Sequence, residues 1–135
     1  MNSDRITLTF PQDESYHGVA RLVVGGLAAR LSFSFEYLED LQLMLDSLLA
    51  NGAYQAGSDV TIELLVEDDG VEMCVGPVTP ALRADLEREV DESGGVGLGR
   101  LLETLAESVE IESRDGTEWL RLAKRNPAHG VAAST

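Results

Sequence analysis

Apolar and polar positions along the chain switch between a period of two and a helical period in a definite order. "RITLTF" (Arg5–Phe10) alternates and predicts a strand closed by Pro11. From Ser15 to Leu31, the residues Val19, Leu22, Val23, Leu27 and Leu31 fall on one helical stripe, interrupted at Gly25-Gly26. After "SFS", Tyr37, Leu38, Leu41, Met44, Leu45, Leu48 and Leu49 recur at helical spacing, with Ser34 as N-cap and an end near Gly57. Val60, Ile62, Leu64 and Val66 then alternate, "EDDG" turns, and Val71, Met73 and Val75 alternate back. Thr79 and Pro80 open a short helix bearing Leu82, Leu86 and Val90. Leu98, Leu101, Leu102 and Leu105 mark another helix, and Val109–Ser113, an Asp115-Gly116 turn and Thr117–Lys124 form a final hairpin. The order predicts an α+β, two-layer sandwich: a mostly antiparallel sheet with helices on one face.

Residues 1–125 are expected to form a single domain, and "NPAHGVAAST" (126–135) reads as a disordered tail. The chain carries 10 basic and 24 acidic residues, a formal charge of −14. That excludes nucleic acid and anionic membrane surfaces as natural partners, since phosphates reward clustered Lys and Arg. It favours a basic protein partner, or serves solubility alone. The single cysteine, Cys74, excludes a disulfide framework and, among apolar neighbours, reads as a small buried hydrophobe; a reducing cytoplasm is the expected setting. There is no apolar signal segment at the start, and no run approaches the ~20 apolar residues of a membrane span.

The candidate chemistry lies in "DESGGVGLGRLLETL", where Gly94, Gly95, Gly97 and Gly99 lead directly into a helix. Glycine is costly to order, so a cluster at this place needs a cause. No Gly-Lys-Ser/Thr follows, which excludes a P-loop. The third glycine of a dinucleotide fingerprint would fall at Arg100, and an acidic loop precedes it where a strand is needed. What remains is a glycine loop feeding a helix N-terminus, whose N–H groups can hold an anion.

"GGVGLGRLLETLAESVEI" resembles the second glycine box of the anti-sigma-factor serine kinases, a branch of the GHKL ATPase superfamily. The resemblance extends over roughly Arg5 to Arg125, through the order of strand, two helices, hairpin, lid-like segment, glycine box and hairpin. It implies a domain that binds ATP and Mg²⁺ and usually forms a homodimer. The implied function is to silence an RNA-polymerase sigma factor and to phosphorylate a serine on the antagonist, an anti-anti-sigma protein. Gly76, Gly95, Gly97, Gly99 and Arg100 then fall on the nucleotide side. Arg100 reads either as a phosphate contact or as a solvated surface arginine.

The family's second helix carries a Glu four residues before a Mg²⁺-binding Asn. Here Asn51 occupies the Asn position and reads either as the implied metal ligand or as a C-terminal helix residue ahead of Gly52, and Ser47 replaces the Glu. A serine is no general base at neutral pH without help. Asp46 is the possible substitute, although a spacing of five turns it about 140° from Asn51 at roughly 100° per residue. The acid expected to read adenine at the end of the middle hairpin is missing, with Cys74 and Val75 in its place before Gly76-Pro77. The lid, "TPALRADLEREVDES", is acidic and repels a triphosphate. Glu36, Glu39 and Asp40 are expected on the solvent face of the second helix, and Trp119 is expected to pack. Two functions follow. One is a sigma-binding or antagonist-binding regulator with a degenerate ATP site; the other is an active serine kinase.

Overall fold

The computed structural model describes residues 4–30, 33–50, 58–88 and 94–125. Nine elements follow one another: β1 (Asp4–Pro11), α1 (Glu14–Arg30), α2 (Phe35–Ala50), β2 (Asp59–Glu67), β3 (Gly70–Gly76), α3 (Pro80–Glu87), α4 (Leu98–Leu105), β4 (Ser108–Arg114) and β5 (Thr117–Arg125). The strands form one antiparallel sheet in the order β1-β2-β3-β5-β4. Alternation along β2 explains the two layers: Val60, Ile62, Leu64 and Val66 are buried, while the residues between them are half-exposed. Val71, Met73, Val75, Leu120 and Leu122 join the same face, and α2 covers it with Tyr37, Leu41, Met44, Leu45, Leu48 and Leu49. This is the expected α+β sandwich.

Ser34 caps α2 as expected, its Oγ accepting from the Tyr37 N–H at 3.1 Å. Three other expectations need correction. Helix α1 runs unbroken through Gly25 and Gly26. It buries Ala20 and Val24; of the expected stripe, Val23 and Leu27 pack against the core, whereas Val19 and Leu22 are 47% and 76% exposed. The cause is close helix packing: a Cβ at Gly25 would stand 3.2 Å from Gln42 Nε2 on α2, so the small flank of α1 faces its neighbour. Strand β1 includes Pro11, in register with Asp59, and does not stop before it. Asp40 is no simple solvent residue, because it pairs with Lys124 at 3.2 Å. Leu31, Asn51, Gly57, Val90 and the tail 126–135 lie outside the described residues.

On the helix-free face of the sheet, Arg121 of β5 bonds Glu72 of β3 at 2.7 Å, and a second arginine reaches further. Arg114, at the end of β4, bonds Glu112 at 2.6 Å, Glu63 on β2 at 3.1 Å and the Cys74 sulfur on β3 at 3.4 Å. Its guanidinium also lies over Trp119 of β5, 5.1 Å from the ring centroid. One side chain therefore links four strands. Among the described residues, no helix is long and apolar enough to cross a membrane.

Candidate functional site

Helices α3 and α4 bracket the region that the glycine loop feeds. Thr79 caps α3, its Oγ1 accepting from the Leu82 N–H at 3.0 Å, and Pro80 begins the helix. The N-cap of α4 is Gly97, extended at φ −66 and ψ 157, with no side-chain hydrogen bond to the helix start. Gly97 thus offers the first N–H groups of α4 no side-chain cap of its own, an arrangement that an anion can complete. Leu98 and Leu102 are buried and fix the helix to the core.

The glycines divide by cause. Gly94 has φ 87, a left-handed conformation that glycine adopts without penalty. Gly99 is required by packing: a Cβ there would meet the Leu86 carbonyl oxygen at 2.2 Å. Gly76, at the end of β3, is likewise packed, its hypothetical Cβ falling 2.7 Å from the Trp119 indole. Trp119 is therefore a packing residue, as expected. Arg100 is exposed and lines an open cleft of about 470 Å³ between α3 and α4, with Leu86, Glu87, Arg88, Glu103 and Thr104.

On α2, the structure separates the two candidate bases. Asp46 turns into the groove against α1, where its Oδ2 lies 3.3 Å from Arg21 Nε. Gln42 donates across the same groove to the Arg21 carbonyl at 3.2 Å. Ser47 is half-buried beside it. Asn51, the candidate metal ligand, lies outside the described residues, and no group of three or more metal-ligating side chains occurs among those described.

At the end of β3, Cys74 and Val75 stand where a carboxylate would read a base, and the strand's own carboxylate, Glu72, pairs with Arg121 at 2.7 Å. Cys74 is buried on the outer face, and burial pushes its thiol up despite the neighbouring Arg114. Val75 points into the core.

One cluster escapes the sequence reading. Tyr37 is buried, accepts from the Val71 N–H at 2.9 Å and donates to the Lys124 carbonyl. Burial pushes its phenol well above the ordinary tyrosine range. Lys124 Nζ donates to the Leu105 carbonyl at 2.7 Å and stands 5.7 Å from the Tyr37 ring centroid. The available signal was a lysine in register with the inward-facing Leu120 and Leu122.

A single antiparallel sheet under helices, with a glycine loop opening α4, is the layout of a GHKL-type ATPase domain. No protein-family profile matches the chain. It is 31% identical to the serine-protein kinase RsbW of Listeria monocytogenes serotype 4a (strain HCC23), over 84% of this chain and 82% of that protein. It is 30% identical to the RsbW of Oceanobacillus iheyensis over 85% and 83%, and 28% identical to that of Bacillus velezensis over 84% and 81%. The chain belongs to the anti-sigma-factor serine kinases, the RsbW family.

Proposed function

We propose that this chain is an anti-sigma-type regulator that binds a sigma factor or its antagonist, with a degenerate ATP site and weak or no kinase activity. The observation that carries this reading is the pairing of Asp46 with Arg21. The one carboxylate beside the expected base position is engaged with a guanidinium on α1, and Ser47 alone activates no hydroxyl. ATP fits half of the site. The uncapped start of α4 suits its phosphates, and Asn51 is the residue that would hold Mg²⁺. At the end of β3 no acid accepts from the adenine amino group, so base discrimination is lost. When bound, the nucleotide would supply the transferable phosphoryl group; this chain's part is to hold it by backbone donors.

Partner binding accounts better for what the surface carries. Tyr16, Val19 and Leu22 on α1 are 41%, 47% and 76% exposed, in a chain of charge −14. Exposed apolar residues within an acidic surface suit a basic protein partner, and Arg5–Phe10 on the open edge suits homodimerisation. The setting is cytoplasmic.

The test is to incubate the protein with labelled ATP and a cognate antagonist, which should yield little phosphoserine. Ser47→Glu restores a carboxylate one turn before Asn51 and should raise transfer. The relatives' own name, serine-protein kinase, favours the second reading of an active kinase acting on an anti-anti-sigma factor. Robust phosphorylation by the unmodified chain, lost in Asp46→Asn, would establish that reading. Surface-plasmon kinetics against a panel of sigma factors tests the partner: the on-rate should fall steeply with salt and respond to Arg21→Glu. Binding to none of them at any ionic strength rejects the assignment.

A further inference from the structure

We infer that Lys124 is a positioning residue for the glycine loop: it clamps the far end of α4 to α2 and so sets the direction in which the first N–H groups of the helix point. The inference rests on the reading that this helix start receives nucleotide phosphate. Lys124 faces the helix layer from β5 with a side chain only 12% exposed, and an ammonium so buried must be satisfied. It donates to the carbonyl of Leu105, the last residue of α4, at 2.7 Å. Such terminal carbonyls have no partner within their own helix, and a cation there also complements the helix dipole. The same ammonium pairs with Asp40 of α2 at 3.2 Å. One charge therefore joins the end of α4 to the helix that leads in sequence to Asn51.

The second hold on α4 is at its start. Gly99 lies so close to Leu86 that a Cβ would overlap the carbonyl oxygen. A helix of eight residues is a rigid rod of about 12 Å, pinned near one end by backbone contact and at the other by Lys124. Releasing the Lys124 end lets the rod tilt about Gly99. The N–H groups that open α4 stay close to that pivot but turn with the helix axis, so they no longer aim at the same point, while contacts to an adenosine moiety elsewhere are kept.

ATP and AMP separate these effects, because only the longer phosphate chain engages the helix start fully. Amide shifts of Gly97 and its neighbours, titrated with each nucleotide in the presence of Mg²⁺, give both affinities even when weak. The unmodified protein should prefer ATP. Lys124→Met, which keeps length and removes charge, should lower the ATP-to-AMP affinity ratio roughly tenfold with AMP affinity nearly unchanged, and Lys124→Arg should restore most of it. Asp40→Asn, which leaves the lysine in place, should lower the ratio about threefold. Should Lys124→Met fail to fold, Asp40→Asn and Lys124→Arg decide: a ratio unchanged in Asp40→Asn overturns the inference. A ratio unchanged in folded Lys124→Met overturns it while leaving the nucleotide reading intact. No preference for ATP in the unmodified protein removes the nucleotide reading and the inference with it.

Discussion

Helices α3 and α4 are both eight residues long and pack together at the contact between Gly99 and Leu86, yet they begin in opposite ways. Thr79 and Pro80 give α3 a side-chain cap and a preset first turn. Gly97 gives α4 neither. Local stability is complete in the first helix and left open in the second, and the opening coincides with the glycine box of the family. A helix start that lacks its own side-chain cap can be completed by an anion, and the nucleotide site proposed at α4 rests on that contrast.

The largest effect expected from this pair is that of Gly99→Ala. Alanine would favour the helix by about 1 kcal/mol over glycine. The added Cβ, however, would stand 2.2 Å from the Leu86 carbonyl oxygen, a backbone atom that cannot swing aside. Overpacking of this kind costs ~1–3 kcal/mol or more, so a net loss of about 1–2 kcal/mol is expected in urea melts. A stabilised variant would show that α3 and α4 are not held at contact distance.

Thr79→Ala comes next, with a loss of about 1 kcal/mol and no change in nucleotide affinity, because it removes the side-chain cap of α3 and not a group at the start of α4. Parallel melts and ATP titrations check both halves. Gly97→Ser reverses the logic. The extended conformation at this residue admits a side chain, and a serine cap should stabilise α4 by a few tenths of a kcal/mol. It would also occupy the donors that a phosphate needs. Opposite signs in stability and ATP affinity are therefore expected; a serine that improves both would deny the helix start any role in binding. The smallest effect is that of Arg100→Ala, exposed on the cleft side of α4: stability within about 0.5 kcal/mol of the parent. Any loss of ATP affinity in this variant would move Arg100 from solvated surface to phosphate contact.

Most of the sheet and α2 was legible because alternation and helical spacing there coincide with burial. The hairpin of β2 and β3 and the cap at Ser34 follow from such local rules. The face of α1 was not legible. Val19 and Leu22 point outward, while Ala20 and Val24 are buried, Val23 and Leu27 pack against the core and Gly25 approaches Gln42. Hydrophobicity marks that helix twice, once for the core and once for the surface, and spacing cannot tell the two apart. Asp46 and Asp40 illustrate the same limit for charge. Each finds its cation through the fold, Arg21 from α1 and Lys124 from β5, across separations no local pattern contains. Of the glycines, only the structure distinguishes Gly99, which avoids a carbonyl, from Gly97, which leaves a helix start bare.

The register of β1 carries a consequence for synthesis. Its partners lie on β2, from Asp4 with Val66 to Pro11 with Asp59, so the first strand made is separated from its neighbour by both long helices. At roughly 5–20 residues per second, translation leaves that strand unpaired for about 3–12 s. Closing so long a loop is also slow relative to forming the hairpin of β2 and β3. Pulsed hydrogen exchange during refolding should protect β1 after that hairpin, and simultaneous protection would count against this order. Until then the nascent chain carries Phe10 and the apolar side of α2 uncovered, and the acidic charge of the chain is what keeps neighbouring copies apart on a crowded polysome.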